Sequence, residues 1–173
     1  SGTFERVNRQ GETRWLEASY FPVKNQGRVT RVVKLASDVT ARHQRLQHLE
    51  ALSQALDRSR AMIEFTPSGE IIGANANFLD AMGYRLNEIV GKHHRIFCDE
   101  AFLREQPRFW EELARGQFKS GLFMRHNSRG ESVWLEATYN PIRDQSGKVV
   151  KVVKFASDIT ARIEPVSYTH LTL

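Results

Sequence analysis

Several things are scarce in this 173-residue sequence, and each scarcity excludes a class. There is one cysteine, Cys98, so neither a disulfide scaffold nor a cysteine-rich zinc module is available. No apolar run approaches the roughly 20 residues of a membrane-spanning helix, so direct membrane insertion is not expected. Low-complexity tracts are missing, and 40% of residues are hydrophobic, too many for a disordered chain. The strand-to-helix serine elbow of hydrolases and the phosphate-cradling glycine loop are also absent, so no catalytic residues are assigned and no enzyme is expected. A signal peptide and an initiating methionine are both lacking, which points to a fragment and, with the lone thiol, to the cytoplasm. The net charge is +5. The cations are interspersed with acids, as in Arg104-Glu105, so the balance reads as solvated surface and no nucleic-acid partner is expected.

What is present is a repeat. Residues 4–42 and 123–162 align with one gap, at Ser146, and about 23 of 39 positions are identical. The stretch 61–122 precedes the second copy and has no counterpart before the first. The expected organisation is therefore the C-terminal part of a truncated module at 1–40, a connecting helix at 41–60 and a complete module at 61–162. The tail at 163–173 looks foreign to the rest.

The complete copy reads as two short strands, 61–65 and 70–74, several short helices and a three-stranded meander. Asn75 can cap a helix through Met82, Ala101 to Leu103 makes a brief turn, and Pro107 opens a helix through Arg115. On the last strand Val149, Val153 and Phe155 are placed on one face, with Val150, Val152 and Ala156 on the other. The expected class is α+β, a five-stranded antiparallel sheet with short helices on one face. In the connector, Leu46, Leu49, Leu52 and Leu56 fall at helical spacing. That stripe packs on its own module or pairs with the same helix of a second chain.

Four motifs then occur in order: Gly69-Glu70-Ile71-Ile72 with Asn75-Ala76-Asn77-Phe78; Gly83-Tyr84 through Glu88 to Gly91-Lys92; Gly130-Glu131 through Trp134 to Pro141; and Asp158-Ile159-Thr160, repeated as Asp38-Val39-Thr40. Together they resemble a PAS domain. With His93-His94-Arg95-Ile96-Phe97-Cys98 and Lys154-Phe155-Ala156-Ser157-Asp158, the chain is similar to tandem PAS modules ahead of methyl-accepting chemoreceptor signalling domains, of the aerotaxis and biofilm-dispersal kind. The resemblance implies a sensor that relays a ligand, redox or oxygen state through helices to an output domain absent here, and a homodimer formed through the PAS module and the connecting helix. The same input also serves sensor histidine kinases and cyclic-di-nucleotide enzymes, and a cofactor-free dimerisation module is the reading of another class.

Specific residues follow from the resemblance. Asp38, Thr40, Asp158 and Thr160 are the relay positions, where a side-chain cap also fixes how the next helix leaves the sheet. Phe78, Tyr84, Phe97, Phe109, Phe123, Trp134 and Phe155 are expected to line a pocket or fill a core. Haem would use His93 or His94 as axial ligand, and flavin (FAD) would use Trp110 with an amide such as Asn75. No other metal is expected, and the leading reading for the fragment is no cofactor.

Overall fold

A computed structural model describes residues 1–163, and the tail expected to be foreign lies almost wholly outside them. The chain forms two compact units, Ser1–Ala55 and a second that begins at Leu56. No helix among the described residues is long and apolar enough to cross a membrane.

The first unit is an antiparallel sheet of β1 (Gly2–Val7), β2 (Thr13–Asn25) and β3 (Arg28–Asp38) in that spatial order. Gln26 and Gly27 both take positive φ, 50° and 80°. Two such residues make the tight turn whose twist matches an antiparallel ribbon. A helix, α1 (Thr40–Ser59), follows β3. Its Leu46, Leu49, Leu52 and Leu56 are all about half exposed, at 48–55%.

The second unit contains β4 (Ala61–Phe65), β5 (Ile71–Ala74), α2 (Ala76–Met82), α3 (Leu86–Ile89), a 3-10 turn at His94–Phe97, α4 (Glu100–Glu105), α5 (Phe109–Ala114), β6 (Lys119–His126), β7 (Ser132–Arg143) and β8 (Val149–Asp158). The spatial order is β5-β4-β8-β7-β6, all antiparallel. The last strand thus lies in the middle, and the helices span the chain's passage from one sheet edge to the other. The two brief elements near residue 100 depart from expectation in opposite senses, α4 being longer and α5 shorter. Asp99 caps α4, its Oδ1 accepting from Phe102 N at 2.8 Å, so the expected turn is a helix. Pro107 instead lies ahead of α5, which starts at Phe109.

Alternation sets the core. Along β7, Val133, Leu135, Ala137 and Tyr139 are buried, with Ile63, Phe65, Phe78, Met82, Phe97, Phe109 and Leu113 packed against them. The faces expected for β8 need correcting. Ile142 pairs with Lys151 but Arg143 pairs with Val149, so Val150 is the extra residue of a bulge. The bulge shifts parity: Val149 joins Val152 and Ala156 in the core, Val150 is exposed, and Phe155 turns to the opposite face.

Candidate functional site

The inner end of the second unit is organised around His94, which is 1% exposed and set in the 3-10 turn. Its ring is stacked on Phe109 at 5.7 Å and meets Phe65, Phe97, Phe102, Trp110 and Tyr139 edge-on. Its nitrogens are both engaged. Trp110 Nε1 lies 3.2 Å from Nδ1, and an indole nitrogen can only donate, so Nδ1 accepts. Burial and the nearby Arg125 and Lys154 charges hold the imidazole pKa well below its ordinary value. The neutral ring therefore carries its proton on Nε2, which donates to Tyr139 Oη at 3.1 Å. The Cys98 Sγ is 3.5 Å from Nδ1, and burial pushes that thiol's pKa up.

Three more polar groups share this space. Arg125 is 1% exposed, its guanidinium donating to Met124 O at 2.8 Å and to Tyr139 Oη at 3.2 Å. The same guanidinium lies 4.2 Å from the Phe102 ring centroid and 5.0 Å from that of Phe123. Lys154, also 1% exposed, places Nζ 4.9 Å from the Tyr139 ring centroid and 6.0 Å from that of Phe78. No ion pair among the described residues includes either cation. Burial lifts the Tyr139 phenol to about 12, so it supplies no counter-charge near neutrality.

These contacts decide how the expected site residues fit a prosthetic group. A haem iron requires an imidazole nitrogen whose in-plane lone pair is free, and both nitrogens of His94 are engaged. His93 caps the 3-10 turn, with Nδ1 accepting from Arg95 N at 3.1 Å and Nε2 2.9 Å from Ser68 O, so it too is spent locally. Haem does not fit this arrangement. Asn75 is equally committed: Oδ1 accepts from Met62 N at 2.9 Å and Phe78 N at 3.0 Å, while Nδ2 donates to Asp57 O at 2.9 Å and Arg60 O at 2.8 Å. It is a clamp on the end of α1 and has no group left for a flavin. Among the described residues no group of three or more His, Cys, Asp or Glu side chains is placed to hold a metal.

The expected pocket residues divide. Phe78, Phe97 and Tyr84 form one edge-to-face chain, and Phe109, Phe123 and Tyr139 another. Trp134 joins neither chain but lines a groove with Phe102, Phe109 and Phe123, whereas the strand parity of Phe155 sets it on the opposite face of the sheet. Sequence reasoning missed Arg125, Tyr139 and Lys154. The available signal was polar residues at core-facing parity that recur in both copies, as Arg6, Tyr20 and Lys34.

Gly69 closes the site on another side. It has φ +94°, and a Cβ there would stand 2.6 Å from His93 Nε2 and 2.7 Å from the Trp110 ring. Gly69→Ala is expected to cost about 2 kcal/mol through this overlap, read as a lower Tm together with a changed Trp110 emission.

The positions expected to act as a relay form a second arrangement, built twice. Asp158 Oδ1 accepts from Thr160 N at 2.9 Å and from Thr160 Oγ1 at 2.6 Å, and Thr160 Oγ1 accepts from Trp134 N at 2.9 Å. Ile159 N donates to Trp134 O at 2.9 Å. In the first unit, Asp38 Oδ1 accepts from Thr40 N at 3.0 Å, Thr40 Oγ1 accepts from Trp15 N at 2.9 Å, and Val39 N donates to Trp15 O at 2.8 Å. Each clamp pins the first helical residue to the neighbouring strand.

Residues 71–156 match the family described as the PAS fold. The second unit is a PAS domain. Residues 1–41 separately match the family described as the PAS domain. A solved PAS domain from Colwellia psychrerythraea superposes with TM-score 0.58 at 19% identity, over 65% of this chain and 98% of that one. A light-oxygen-voltage domain superposes with TM-score 0.54 at 20% identity, over 71% and 96%. These two speak to the fold alone. Among curated proteins, the biofilm dispersion protein BdlA of Pseudomonas aeruginosa is 45% identical over 167 residues, 94% of this chain and 40% of that protein. A blue-light-activated histidine kinase of Brucella abortus is 25% identical over 125 residues, 65% of this chain and 26% of that protein. The chain therefore spans well under half the length of these relatives.

Proposed function

We propose that the chain is the sensory input part of a larger cytoplasmic signalling receptor, built from a truncated PAS module, the lever α1 and a complete PAS module. The observation that carries this reading is the duplicated Asp–x–Thr clamp. Each clamp joins a sheet strand to the first turn of the helix that follows, so a change in sheet geometry reaches the helix through two hydrogen bonds and a cap. The identity to BdlA supports a part in biofilm dispersion, and the resemblance of the motifs to chemoreceptor modules supports an output of the methyl-accepting type, with a histidine kinase or cyclic-di-nucleotide enzyme as the alternative. The half-exposed stripe of Leu46, Leu49, Leu52 and Leu56 supports a homodimer in which α1 pairs with its copy.

Thr160→Val removes one hydroxyl from the second clamp and leaves the sheet intact. It is expected to lower stability by about 1 kcal/mol and to flatten the stimulus response of the full-length receptor. A variant that signals normally would sink the relay. A second reading, a cofactor-free dimerisation module, is favoured by the saturated hydrogen bonding of His94 and Asn75. It predicts a concentration-dependent dimer, by sedimentation, whose absorbance shows neither a Soret nor a flavin band.

A further inference from the structure

The sheet of the second unit ends differently on its two sides. At β5 the chain closes its own edge. Ile71 N donates to Lys92 O at 2.8 Å, Gly91 N donates to Ile71 O at 2.9 Å, and Glu70 bridges to His93. On the outer side of β6 no strand lies alongside among the described residues. β6 pairs with β7 from Lys119 to His126 without a register shift, and it contains no proline. In an antiparallel ladder alternate residues turn their N–H and C=O groups away from the partner, so β6 presents a regular row of them outward. Natural edges are ordinarily blunted by a bulge, a proline or a free lysine. Here the lysine of the strand, Lys119, is bound to Glu112.

Beside this edge runs a groove of about 660 Å³. Residues 118–120 and 122–125 all line it, so side chains of both parities reach it. That places the groove along the rim of the strand. Its opposite wall is α4, through Ala101, Phe102 and Glu105. A free strand edge facing a helix is a geometry in which an extended peptide adds a strand: its main chain pairs with the edge and its side chains find pockets. Phe118 and Leu122, 58% and 57% exposed, offer such side chains apolar contact. Charge selects among peptides. Lys119 is paired and Arg125 is buried against the Phe102 and Phe123 rings, whereas Asp99 and Glu105 have no ion-pair partner among the described residues. The uncompensated charge facing solvent at the groove is therefore negative.

We propose that the β6 edge and α4 form a docking groove for an extended peptide segment of a partner protein, apolar at alternate positions and carrying a lysine or arginine that meets Glu105 and Asp99. Main-chain hydrogen bonds to β6 supply the affinity, and the acidic wall supplies the selectivity. The groove lies on the rim of the sheet, apart from the buried Tyr139 cluster, and its occupation does not depend on the relay.

The test uses the whole chain and three capped heptapeptides. One alternates valine with threonine and bears a lysine near each end, the second has glutamate for lysine, and the third is the lysine peptide with its backbone nitrogens methylated. Fluorescence-anisotropy titration is expected to show saturable binding of the lysine peptide, binding at least about fivefold weaker for the glutamate peptide, and none for the methylated one. Hydrogen exchange in the bound state is expected to slow at residues 119–125 and to stay unchanged at the open edge of β3, residues 32–36. Glu105→Lys, at an exposed helix position, is expected to weaken binding about fivefold. Glu50→Lys, an equal change of charge on α1, is expected to bind as the parent does. The proposal is overturned if no peptide binds, if the methylated peptide binds as well as the unmethylated one, if protection appears at β3 and not at β6, or if Glu105→Lys and Glu50→Lys bind alike.

Discussion

Lys154→Met is expected to make the protein more stable. An ammonium without a counter-ion in a fully buried position carries an uncompensated desolvation cost, and well-packed apolar replacements of buried charges have gained about 1–4 kcal/mol. Met has nearly the length of the Lys stem and suits the space beside Phe78 and Tyr139. For a unit of about 100 residues each kcal/mol corresponds to roughly 4–8 °C in Tm. The same lysine gives stability an alkaline slope. Burial first, then the Arg125 charge, holds the Lys154 pKa well below its ordinary value. Between the folded and unfolded values the unfolded chain binds one proton more, so stability rises with pH there and is lost as pH falls through the lowered folded value. His94, also depressed, adds the same sign at lower pH, below the ordinary imidazole range. Denaturant unfolding from pH 6 to 10 reads the slope, up to about 1.4 kcal/mol per pH unit for one displaced proton. Lys154→Met must flatten its upper part. A wild-type profile that declines as pH rises towards the ordinary lysine range would refute the lowered Lys154 pKa.

The second large effect is at Asn75. Asn75→Ala strips partners from two backbone N–H groups, of Met62 and Phe78, and leaves two carbonyls, of Asp57 and Arg60, with only the longer 3.3 Å bonds from Asn77 Nδ2. Leaving such groups unsatisfied costs about 1–3 kcal/mol apiece when they stay dry, so a loss of about 3–4 kcal/mol is expected once water reaches some of them. Asn75→Asp separates the two functions of the side chain. Its carboxylate still accepts from Met62 and Phe78, but it cannot donate to Asp57 and Arg60 and repels their carbonyls. Hydrogen exchange is then expected to accelerate at residues 58–61 while α2 keeps its protection. Equal exchange in Asn75→Asp and the parent would show that the amide does not hold the end of α1.

Most of the fold was legible because its signals are local. The short strands 61–65 and 70–74, the three-stranded meander and the capping Asn75 all rest on signals within a few residues. The β8 faces were misread because one bulged residue, Val150, inverts parity, and a bulge leaves no mark in an unbroken valine-rich run. Asn75 was read both as a cap and as a cofactor amide, and only the cap uses its atoms. His94 drew attention as an iron ligand through its residue type. Its actual surroundings come from Trp110 and Tyr139, 16 and 45 residues away, distances at which periodicity says nothing. The inward lysine and arginine were passed over because cations are ordinarily surface residues.

The first unit's β3 has a property its counterpart lacks. In the second unit β8 holds β4 along its edge, from Ala61 opposite Ala156 to Phe65 opposite Val152. The equivalent edge of β3, Val32 to Ala36, has no strand beside it in its three-stranded sheet. β3 and β8 thus offer nearly the same row of residues to a strand of the β4 kind. The register that seats Ala61 opposite Ala156 corresponds to Ala36 in β3, so the repeat duplicates a pairing address as well as a strand.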